Sequence, residues 1–557
     1  MKRKVLARIR LVPVFFILLS AALSGPLSAQ TNVPLGSGTF ADLEWLAALG
    51  YLPSFSAGIR PISRDEAAIL VLEGEKNARM HGLIPGPLVI STLAGLRHAF
   101  RQEIAFHEGL SPGQSFLKPI ESIRITCRHQ DIFTAAENDY GRDRGSSFDM
   151  QGPGSGGRQV LLDWEFRGQI WNRLGFFVQP FWSIGHHSDH DDDQGESGIQ
   201  SHHVCSSRFE FTRGYMQSTV SHFRITIGKE SLWWGQGTHG TLQLTNNARP
   251  FKLICLSSRA PFVLPSILQP LGLARFSFFY AELEKDRPYD EDNNSAQDEE
   301  KLSHPDIHKP KFSGLAISLK INPRFECGLI RTFLFRRGND FPDALLARHE
   351  NRAGGPGNQQ MGVNWRITLP LDFQALTLYG EHAGEDEAHL CPSNWAHLAG
   401  IFLPSLGPLR QLRFRAEYAS THAGSNPAAW YTHAASREGL AYSSHDRIMG
   451  HHMGTDADDT SLSLEWEPLA GLRIRPAIDY ERGWSRGEVI KKQRQFLMGL
   501  EYAWSSSWLI AVNFCREFWI LQESAQFQEL VREEIHGLRL ADGDSNTTIS
   551  LSLQLMF

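Results

Sequence analysis

One stretch of this sequence combines paired tryptophans with several amide and guanidinium side chains. Residues 228–250 read GKESLWWGQGTHGTLQLTNNARP. The indole rings of Trp233 and Trp234 have apolar faces of the kind that stack on sugar rings. Directional hydrogen-bond donors for a sugar hydroxyl or a uronate follow at Gln236, Asn246, Asn247 and Arg249. The alternative is structural, with the stretch folded inward and its tryptophans and Asn-Asn pair used for packing and turns.

A second candidate group is acidic. Glu385, Asp386 and Glu387 follow one another directly in the chain. Consecutive carboxylates can contact a glycan through a bridging cation, because carboxylate oxygens are preferred ligands of calcium. The alternative is a solvated acidic loop with no ligand. Together with the tryptophan stretch, these residues are the candidate glycan contacts of the sequence.

Two stretches place histidines beside acidic residues. Residues 186–203 read HHSDHDDDQGESGIQSHH. The second stretch places His451 and His452 before Asp456, Asp458 and Asp459. Such side chains can bind a transition metal or calcium, but their spacing fits no defined calcium loop, and histidine-rich surface loops are commonly only soluble. We therefore expect no metal site and no cofactor.

Composition and spacing also limit the classes of function. A hydrolase needs an activated nucleophile with a base and an orienting group in reach, and no nucleophile motif stands out. The six cysteines are scattered without CxxC spacing, which argues against a cysteine zinc site. The net charge of −6 shows no basic excess, so the electrostatic footprint of a nucleic-acid-binding protein is absent. We expect neither an enzyme nor a nucleic-acid-binding protein.

The elements that must position these residues are predicted to be β-strands. In the last stretch, NTTISLSLQLMF, apolar residues occupy every second position from Ile549 to Phe557, with mostly polar residues between them. The same alternation recurs at 160–167, 412–418, 462–467, 472–479 and 495–504. The polar positions carry charges of both signs, which suits a wet interior. An apolar outer face around a polar interior is typical of transmembrane barrels.

The connections between these strands alternate in length. Tight turn signals such as Asn322-Pro323 separate long polar stretches such as 285–310 and 422–458. The predicted long connections also include 230–249 and 482–492. This alternation is typical of outer-membrane barrels, which have short periplasmic turns and long extracellular loops. About nine long and about eight short connections predict an all-β transmembrane barrel of about 18 antiparallel strands.

The N-terminal part of the chain is different. Basic residues, an apolar run and the small-residue site Ser28-Ala29 predict a signal peptide over residues 1–29. Residues 30–115 predict a small α-helical bundle on the periplasmic side, a possible plug, with helices at 42–49, after the capping box Ser63–Glu66, and at 91–106. Residues 116–557 are predicted to form the barrel. No later segment is apolar over about 18 residues, so we expect no transmembrane helix.

Several of these motifs together resemble a known family. The segment with Gly-Lys, Trp-Gly-x-Gly and Asn-Asn-Ala-Arg-Pro resembles the signature of the Wzi-type capsule-assembly outer-membrane protein family. Further similarities follow in the order of the family at 358–364, 379–387, 430–433 and 450–456. Each motif is weak alone, but their order over residues 40–557 is specific. The connections 134–157, 185–203 and 285–310 carry nothing that resembles the family.

The resemblance implies a lectin-like protein that is not an enzyme. It would bind surface polysaccharide and help to assemble or anchor capsule or exopolysaccharide. The expected partners are that polysaccharide, outer-membrane lipids, and the barrel-assembly machinery, through the C-terminal strand ending in Phe557. The expected location is the bacterial outer membrane, with loops exposed at the cell surface.

A porin-like channel is the alternative. Its ion selectivity would be set by lumen charges, and the candidate arginines are Arg413, Arg415, Arg473 and Arg475. The helices before the barrel favour the polysaccharide-binding hypothesis, because a free-diffusion pore gains nothing from a plug.

Overall fold

Alternating side chains build a closed wall of strands. A computed structural model describes residues 31–80, 86–111, 115–130, 157–171, 174–189, 202–264, 266–284, 309–335, 357–371, 374–385, 394–422, 430–431, 440–445, 447–485, 488–521 and 545–557. The wall is a closed 18-strand antiparallel barrel, as the sequence predicts. Each strand pairs with its successor, and the last pairs with the first, with Leu553 opposite Ile125.

The strands are numbered here in chain order. They are β1 (Phe116–Gln130), β2 (Gly157–Ile170), β3 (Leu174–Asp189), β4 (His202–Val220), β5 (Phe223–Glu230), β6 (Phe251–Ser258), β7 (Leu273–Glu282), β8 (Lys311–Asn322), β9 (Phe325–Phe335), β10 (Gly357–Pro370), β11 (Ala375–Glu385), β12 (Asn394–Leu403), β13 (Leu412–Ser420), β14 (Ala457–Leu469), β15 (Leu472–Ser485), β16 (Glu488–Ala503), β17 (Trp508–Leu521) and β18 (Ser545–Met556). Short two-residue strands lie outside this numbering.

The two faces of the wall differ as the sequence pattern predicts. On β18, the side chains of Ile549, Leu551 and Leu553 are exposed on the outer face. On its inner face, Ser552 shares a hydrogen bond of 2.8 Å with Thr126 of β1. Exposed apolar side chains recur on the other strands. An apolar belt of this kind is covered by lipid in transmembrane barrels.

The connections at the two ends of the barrel also differ. Short ones, such as Pro323-Arg324 between β8 and β9, alternate with long ones, such as 421–456 between β13 and β14. The prediction of a long connection at 482–492 is wrong. There β15 and β16 continue into a hairpin, with Gly483 opposite Lys491. Charged residues at this end of the strands imitate a loop in the sequence, although the backbone pairing continues through them.

In the described part of the chain, four helices precede the wall: α1 (Thr39–Ala48), α2 (Arg64–Met80), α3 (Pro87–Ala99) and α4 (Arg101–His107). The Ser63 half of the predicted capping box is confirmed, because Ser63 Oγ accepts a hydrogen bond of 3.1 Å from the backbone N–H of Glu66. The side chain of Glu66 instead pairs with Arg275. The predicted helix at 91–106 is divided at Phe100. Its apolar stripe is nevertheless buried, at Leu93, Leu96, Phe100 and Ile104.

No helix among the described residues is both long and apolar enough to cross a membrane. The predicted signal peptide, residues 1–29, lies outside the described residues.

The helical part packs against the inner face of the wall through ion pairs. Glu44 of α1 contacts Arg366 and lies 2.8 Å from Arg415. Asp42 of α1 lies 2.7 Å from Arg473. Further pairs join helical carboxylates to wall or turn arginines at Asp65–Arg259, Glu66–Arg275 and Glu103–Arg167. The helices therefore meet the barrel through charges that point into its interior.

Glu44 shows how strongly these charges interact. Burial alone would raise the pKa of Glu44, but Arg415, Arg366 and Arg60 outweigh burial and lower it to about 2. The carboxylate is therefore ionised in the folded protein at any physiological pH. Removing it would leave buried guanidinium groups without their counter-charge.

Candidate functional site

The connection between β5 and β6, residues 231–250, turns into the barrel, and we call it the inner segment. Its Trp234 pairs with Ile59 in a short antiparallel strand pairing, and the N–H of Gly235 donates to the carbonyl of Gly58 at 2.9 Å. Gly235 has φ 137°, and a Cβ there would lie 2.4 Å from an oxygen of Glu381. Only glycine fits this position. The stretch thus takes the inward path that the sequence left as the structural alternative.

Two carboxylates of the wall hold the backbone of the inner segment. Glu381 of β11 accepts hydrogen bonds of 2.6 to 3.0 Å from the N–H groups of Gln236, Gly237 and Leu242. Glu417 of β13 accepts two more, each 2.9 Å long, from Thr238 and His239. A buried backbone N–H is costly without a hydrogen-bond partner, and these two wall side chains supply acceptors to five such groups. The segment is therefore fixed from within the barrel.

Both candidate tryptophans are buried. Trp233 donates its indole N–H to the carbonyl of Gly237 at 3.0 Å. Trp234 is fully buried and packs on Phe279, with 5.1 Å between the ring centroids. In this arrangement neither ring presents an open face to a sugar at the surface. Their contact with a glycan stays a prediction.

The candidate amides have protein partners. Gln236 Nε2 lies 3.2 Å from Glu326 and 3.1 Å from the amide oxygen of Asn364. Asn247 Nδ2 donates to the carbonyl of Ile448 at 3.0 Å. Asn246 is half-buried. These amides join the inner segment to its surroundings, and their contact with a glycan also stays a prediction.

The acidic candidates divide between described and undescribed residues. Glu385, at the end of β11, is fully buried and accepts a hydrogen bond of 3.1 Å from the N–H of Tyr431. Asp386 and Glu387 lie outside the described residues. The suggested glycan contact of this acidic group stays a prediction.

A second inner segment covers the first, and it comprises residues 440–445 and 447–456. The N–H of Thr245 donates to the carbonyl of Met449 at 2.8 Å. The hydroxyl of Tyr442 donates to the carbonyl of Gln243 at 2.8 Å. These contacts bring two connections that are about 200 residues apart in the sequence into one inner layer.

Where the two segments meet the wall, four side chains form what we call the His–Asp cluster: His239, His452, Asp459 and Asp479. One ligand atom from each lies within 4.8 Å of the others. His239 Nε2 is 3.4 Å from Asp459 and 3.4 Å from Asp479, and His452 Nε2 is 3.2 Å from Asp459. Both aspartates and His452 are buried, and His239 nearly so.

The cluster favours positive charge. Burial alone would lower the pKa of His239, but Asp479 and Asp459 outweigh burial and raise it well above its ordinary value. Burial and His239 also act to lower the pKa of His452, yet Asp459 and Glu481 raise it to about 9. Burial and the two other histidines hold the pKa of the neighbouring His451 well below its ordinary value. The carboxylates therefore attract either protons or a metal cation.

The sequence signalled this cluster only in part. His452 and Asp459 belong to the stretch at 451–459 that was considered for metal binding. His239 and Asp479 come from the inner segment and β15, and no spacing rule connects them to that stretch. The histidine-rich stretch 186–203 mostly lies outside the described residues.

A separate group of charges lies at the end of the barrel where the long connections begin, and we call it the basic rim. It consists of one carboxylate, Glu210, and four cations, Arg208, Lys229, Arg249 and Lys252. Arg208 lies 2.9 Å and Arg249 3.6 Å from Glu210. Burial and Arg208 lower the pKa of Arg249. The side chain of Arg249 is 28% exposed, so this candidate residue is open to solvent.

Comparisons with known proteins agree with this architecture. The sequence model of the family described as capsule assembly protein Wzi matches residues 132–475, more than half of the chain. No curated protein matches the sequence.

Three solved structures are similar to this chain to different degrees. Wzi of Escherichia coli, described as an outer-membrane protein involved in group 1 capsule assembly and a carbohydrate-binding β-barrel, has a TM-score of 0.59 and 15% identity, over 95% of this chain and 99% of that one. OccAB2 of Acinetobacter baumannii has a TM-score of 0.44 and 12% identity, over 78% of this chain and 98% of that one. OccK5 of Pseudomonas aeruginosa has a TM-score of 0.44 and 11% identity, over 80% of this chain and 98% of that one.

Proposed function

The chain belongs to the Wzi family of capsule assembly proteins, and on that premise we propose that it binds surface polysaccharide. In this proposal it lies in the bacterial outer membrane and helps to assemble or anchor capsule or exopolysaccharide at the cell surface. Its activity is binding, not catalysis. The similar fold of the Escherichia coli protein supports this proposal.

One observation carries the choice between a binding scaffold and a channel. Three of the four lumen arginines that a channel would use for selectivity are engaged by the helices, whereas the fourth, Arg475, pairs with Glu501 of the wall. Arg415 pairs with Glu44, and Arg473 pairs with Asp42. Arg413 is only 4% exposed and contacts Trp45, with its guanidinium 4.2 Å from the ring centroid. Charges that are committed to a plug are not free to select ions, which favours the scaffold.

The proposed glycan contact is the basic rim, together with the long connections above it. Guanidinium and ammonium groups bind the carboxylates of an acidic polymer through charge-assisted hydrogen bonds. Among the residues predicted from the sequence, Arg249 is the cation in this position. Trp233, Trp234, Gln236 and Asn247 hold the inner segment beneath the rim. Asp386 and Glu387 remain candidates for a cation-bridged contact.

The remaining partners follow from the wall. The apolar outer face meets outer-membrane lipids. The helical bundle closes the periplasmic end, where the short turns lie. The barrel-assembly machinery recognises β18, and Phe557, which follows it directly, is exposed. These assignments belong to the proposal.

Polymer retention tests the proposed function. In a strain that lacks the gene, polymer is still made but moves from the cell-bound to the shed fraction, and the wild-type gene restores retention. The double variant Arg249→Ala with Lys252→Ala restores it only partly. Arg324→Ala, an exposed arginine on a short turn, is the matched control and restores it fully. Unchanged bound and shed fractions in the deletion strain would overturn the proposal.

A separate experiment tests whether Trp233 and Trp234 contact polymer. Trp233→Ala with Trp234→Ala is compared with the wild type for retention per folded barrel in the membrane. If these rings only pack, retention per folded barrel is unchanged and the amount of folded barrel falls. If they contact polymer, retention per folded barrel falls as well.

A further inference from the structure

The geometry points to a second binding function: we propose that the His–Asp cluster is a site for a divalent transition metal, with Zn²⁺ as the first candidate. The ligands are His239, His452, Asp459 and Asp479. This departs from the sequence-based expectation of no metal site. The proposal does not depend on polysaccharide binding, because it concerns residues inside the barrel.

The distances fit a four-coordinate ion. Zinc bonds of about 2.0 to 2.2 Å to nitrogen and oxygen place neighbouring ligand atoms of a tetrahedron about 3.4 Å apart. The Nε2 atoms of His239 and His452 lie 3.4 and 3.2 Å from Asp459, and His239 Nε2 lies 3.4 Å from Asp479. Because all four atoms lie within 4.8 Å of one another, small side-chain movements close the set around one ion.

The hydrogen bonding of the cluster is a second, independent observation. No hydrogen bond reaches either carboxylate oxygen of Asp459 or of Asp479, or the Nε2 of His239 or His452, although all of these atoms are buried. Buried polar atoms in folded proteins normally have such partners, and buried carboxylates are costly without them. A bound cation would satisfy one oxygen of each carboxylate and both nitrogens at once.

The donor types select the class of metal. Imidazole nitrogen suits Zn²⁺ and neighbouring transition metals, whereas Ca²⁺ and Mg²⁺ prefer sites made of oxygen alone. Two further groups lie beside the ligands. Glu481 is 3.3 Å from His452 Nε2, and the ring of His451 stacks on that of His452 with 4.5 Å between centroids. The ring of His451 therefore packs against a proposed ligand, whereas the carboxylate of Glu481 faces the nitrogen that would bind the metal and adds negative charge beside the ion.

The position of the site suggests what the metal does. His239 comes from the inner segment and His452 from the second inner segment. Asp459 and Asp479 come from the neighbouring strands β14 and β15, where Ser461 is paired with Asp479. One ion would therefore tie both inner segments to the wall beneath the surface connections.

The competing explanation is an ion-pair network. Two protonated histidines beside two carboxylates also balance charge. However, this would place two imidazolium rings 4.5 Å apart, centroid to centroid, and none of the close contacts has hydrogen-bond geometry. A metal bound by neutral imidazoles removes both difficulties.

The test uses the full-length, untagged protein in detergent, stripped with a chelator and dialysed against Zn²⁺ or Co²⁺ alone. The expected result is one metal per chain, a tetrahedral Co²⁺ absorption spectrum, and metal–ligand distances of about 2.0 to 2.2 Å by X-ray absorption. Asp479→Asn and His239→Gln should each weaken binding by about tenfold or more. The matched controls are Asp458→Asn, whose carboxylate pairs with Arg482 instead, and His422→Gln, whose ring stacks on Trp484.

If a variant does not fold, the Co²⁺ spectrum of the wild-type protein still tests the proposal. A tetrahedral set with two nitrogen ligands in the wild-type protein supports the proposal. No bound metal, which leaves an ion-pair network, would overturn it. Equal binding by the wild type and by folded cluster variants would also overturn it, because the metal would then be held elsewhere.

Discussion

The outer face of the barrel and its interior are stabilised in different ways. Outside, Ile549, Leu551 and Leu553 repeat one apolar chemistry at every second residue, and lipid can cover each of them in the same way. Inside, Glu44 contacts two particular arginines, Arg366 and Arg415. The stability of the outer face depends on a repeated residue pattern, whereas the stability of the interior depends on individual ion-pair partners.

This difference shows where function can be placed. A periodic outer face tolerates exchange of one apolar residue for another, so it carries little information about what the protein does. The interior fixes the helices and the two inner segments against the wall with buried charges. Those contacts support the surface above, which is the part that we propose binds polymer.

The largest effect should come from breaking an interior partnership. Glu44→Ala leaves Arg366 and Arg415 without their counter-charge and should lower the free energy of unfolding by about 3 to 5 kcal/mol. Denaturant unfolding of the barrel in lipid vesicles measures it. Arg79→Ala is the control, because its side chain is 80% exposed beside Glu75 and its loss should cost less than about 1 kcal/mol. Equal effects would contradict the comparison.

Acid should weaken the same partnership without a mutation. The pKa of Glu44 is held at about 2 in the folded protein, below its ordinary value of 4.5. Its contribution to stability is therefore full above about pH 4.5 and is lost as the pH falls through 2. The wild type should exceed Glu44→Gln by up to about 3 kcal/mol near neutral pH, and this difference should shrink in acid. A difference that does not change with pH would contradict the ion pair.

A change on the outer face should act through lipid alone. Leu553→Arg places a charge within the apolar row of β18 and should destabilise the barrel by about 2 kcal/mol or more. Ser552→Arg, one residue away and facing inward, should cost less, because the interior already holds charges. Unfolding in vesicles measures both variants. A larger loss for the inward variant would reverse the assignment of the two faces.

The smallest change in stability is expected at the basic rim. Arg249→Ala removes a partly exposed side chain and should change the free energy of unfolding by less than about 0.5 kcal/mol. Polymer retention should nevertheless fall, since the rim is the proposed contact. Retention that stays at the wild-type level in a stable Arg249→Ala barrel would move the glycan contact away from the rim.

The sequence predicted the wall well, because a strand of alternating residues shows its two faces directly. The apolar row of β18 and the closure onto β1 follow from that pattern. The hairpin at 482–492 was missed because charged residues such as Arg482 and Lys491 continue the strands beyond the apolar belt. The alternation of apolar and polar residues cannot distinguish such charged strand ends from a loop.

The interior was predicted only in outline. Trp233 and Trp234 have the same residue types whether they stack on a sugar or pack on Phe279. Only the path of the backbone separates these alternatives, and that path depends on Glu381 and Glu417, far away in the sequence. His239 and Asp479 could not be joined for the same reason, since they come from separate elements. Contacts between residues that are far apart in the chain follow no local periodicity, so a single sequence does not reveal them.

Single-channel conductance in planar bilayers tests the central claim most directly, namely that the interior closes the barrel and makes it a scaffold. The account predicts a wild-type trace close to the baseline. The double variant Asp42→Ala with Glu44→Ala, which frees Arg415 and Arg473 from the helices, should show channel openings. A large, steady conductance from the wild-type protein would contradict the account and favour the channel.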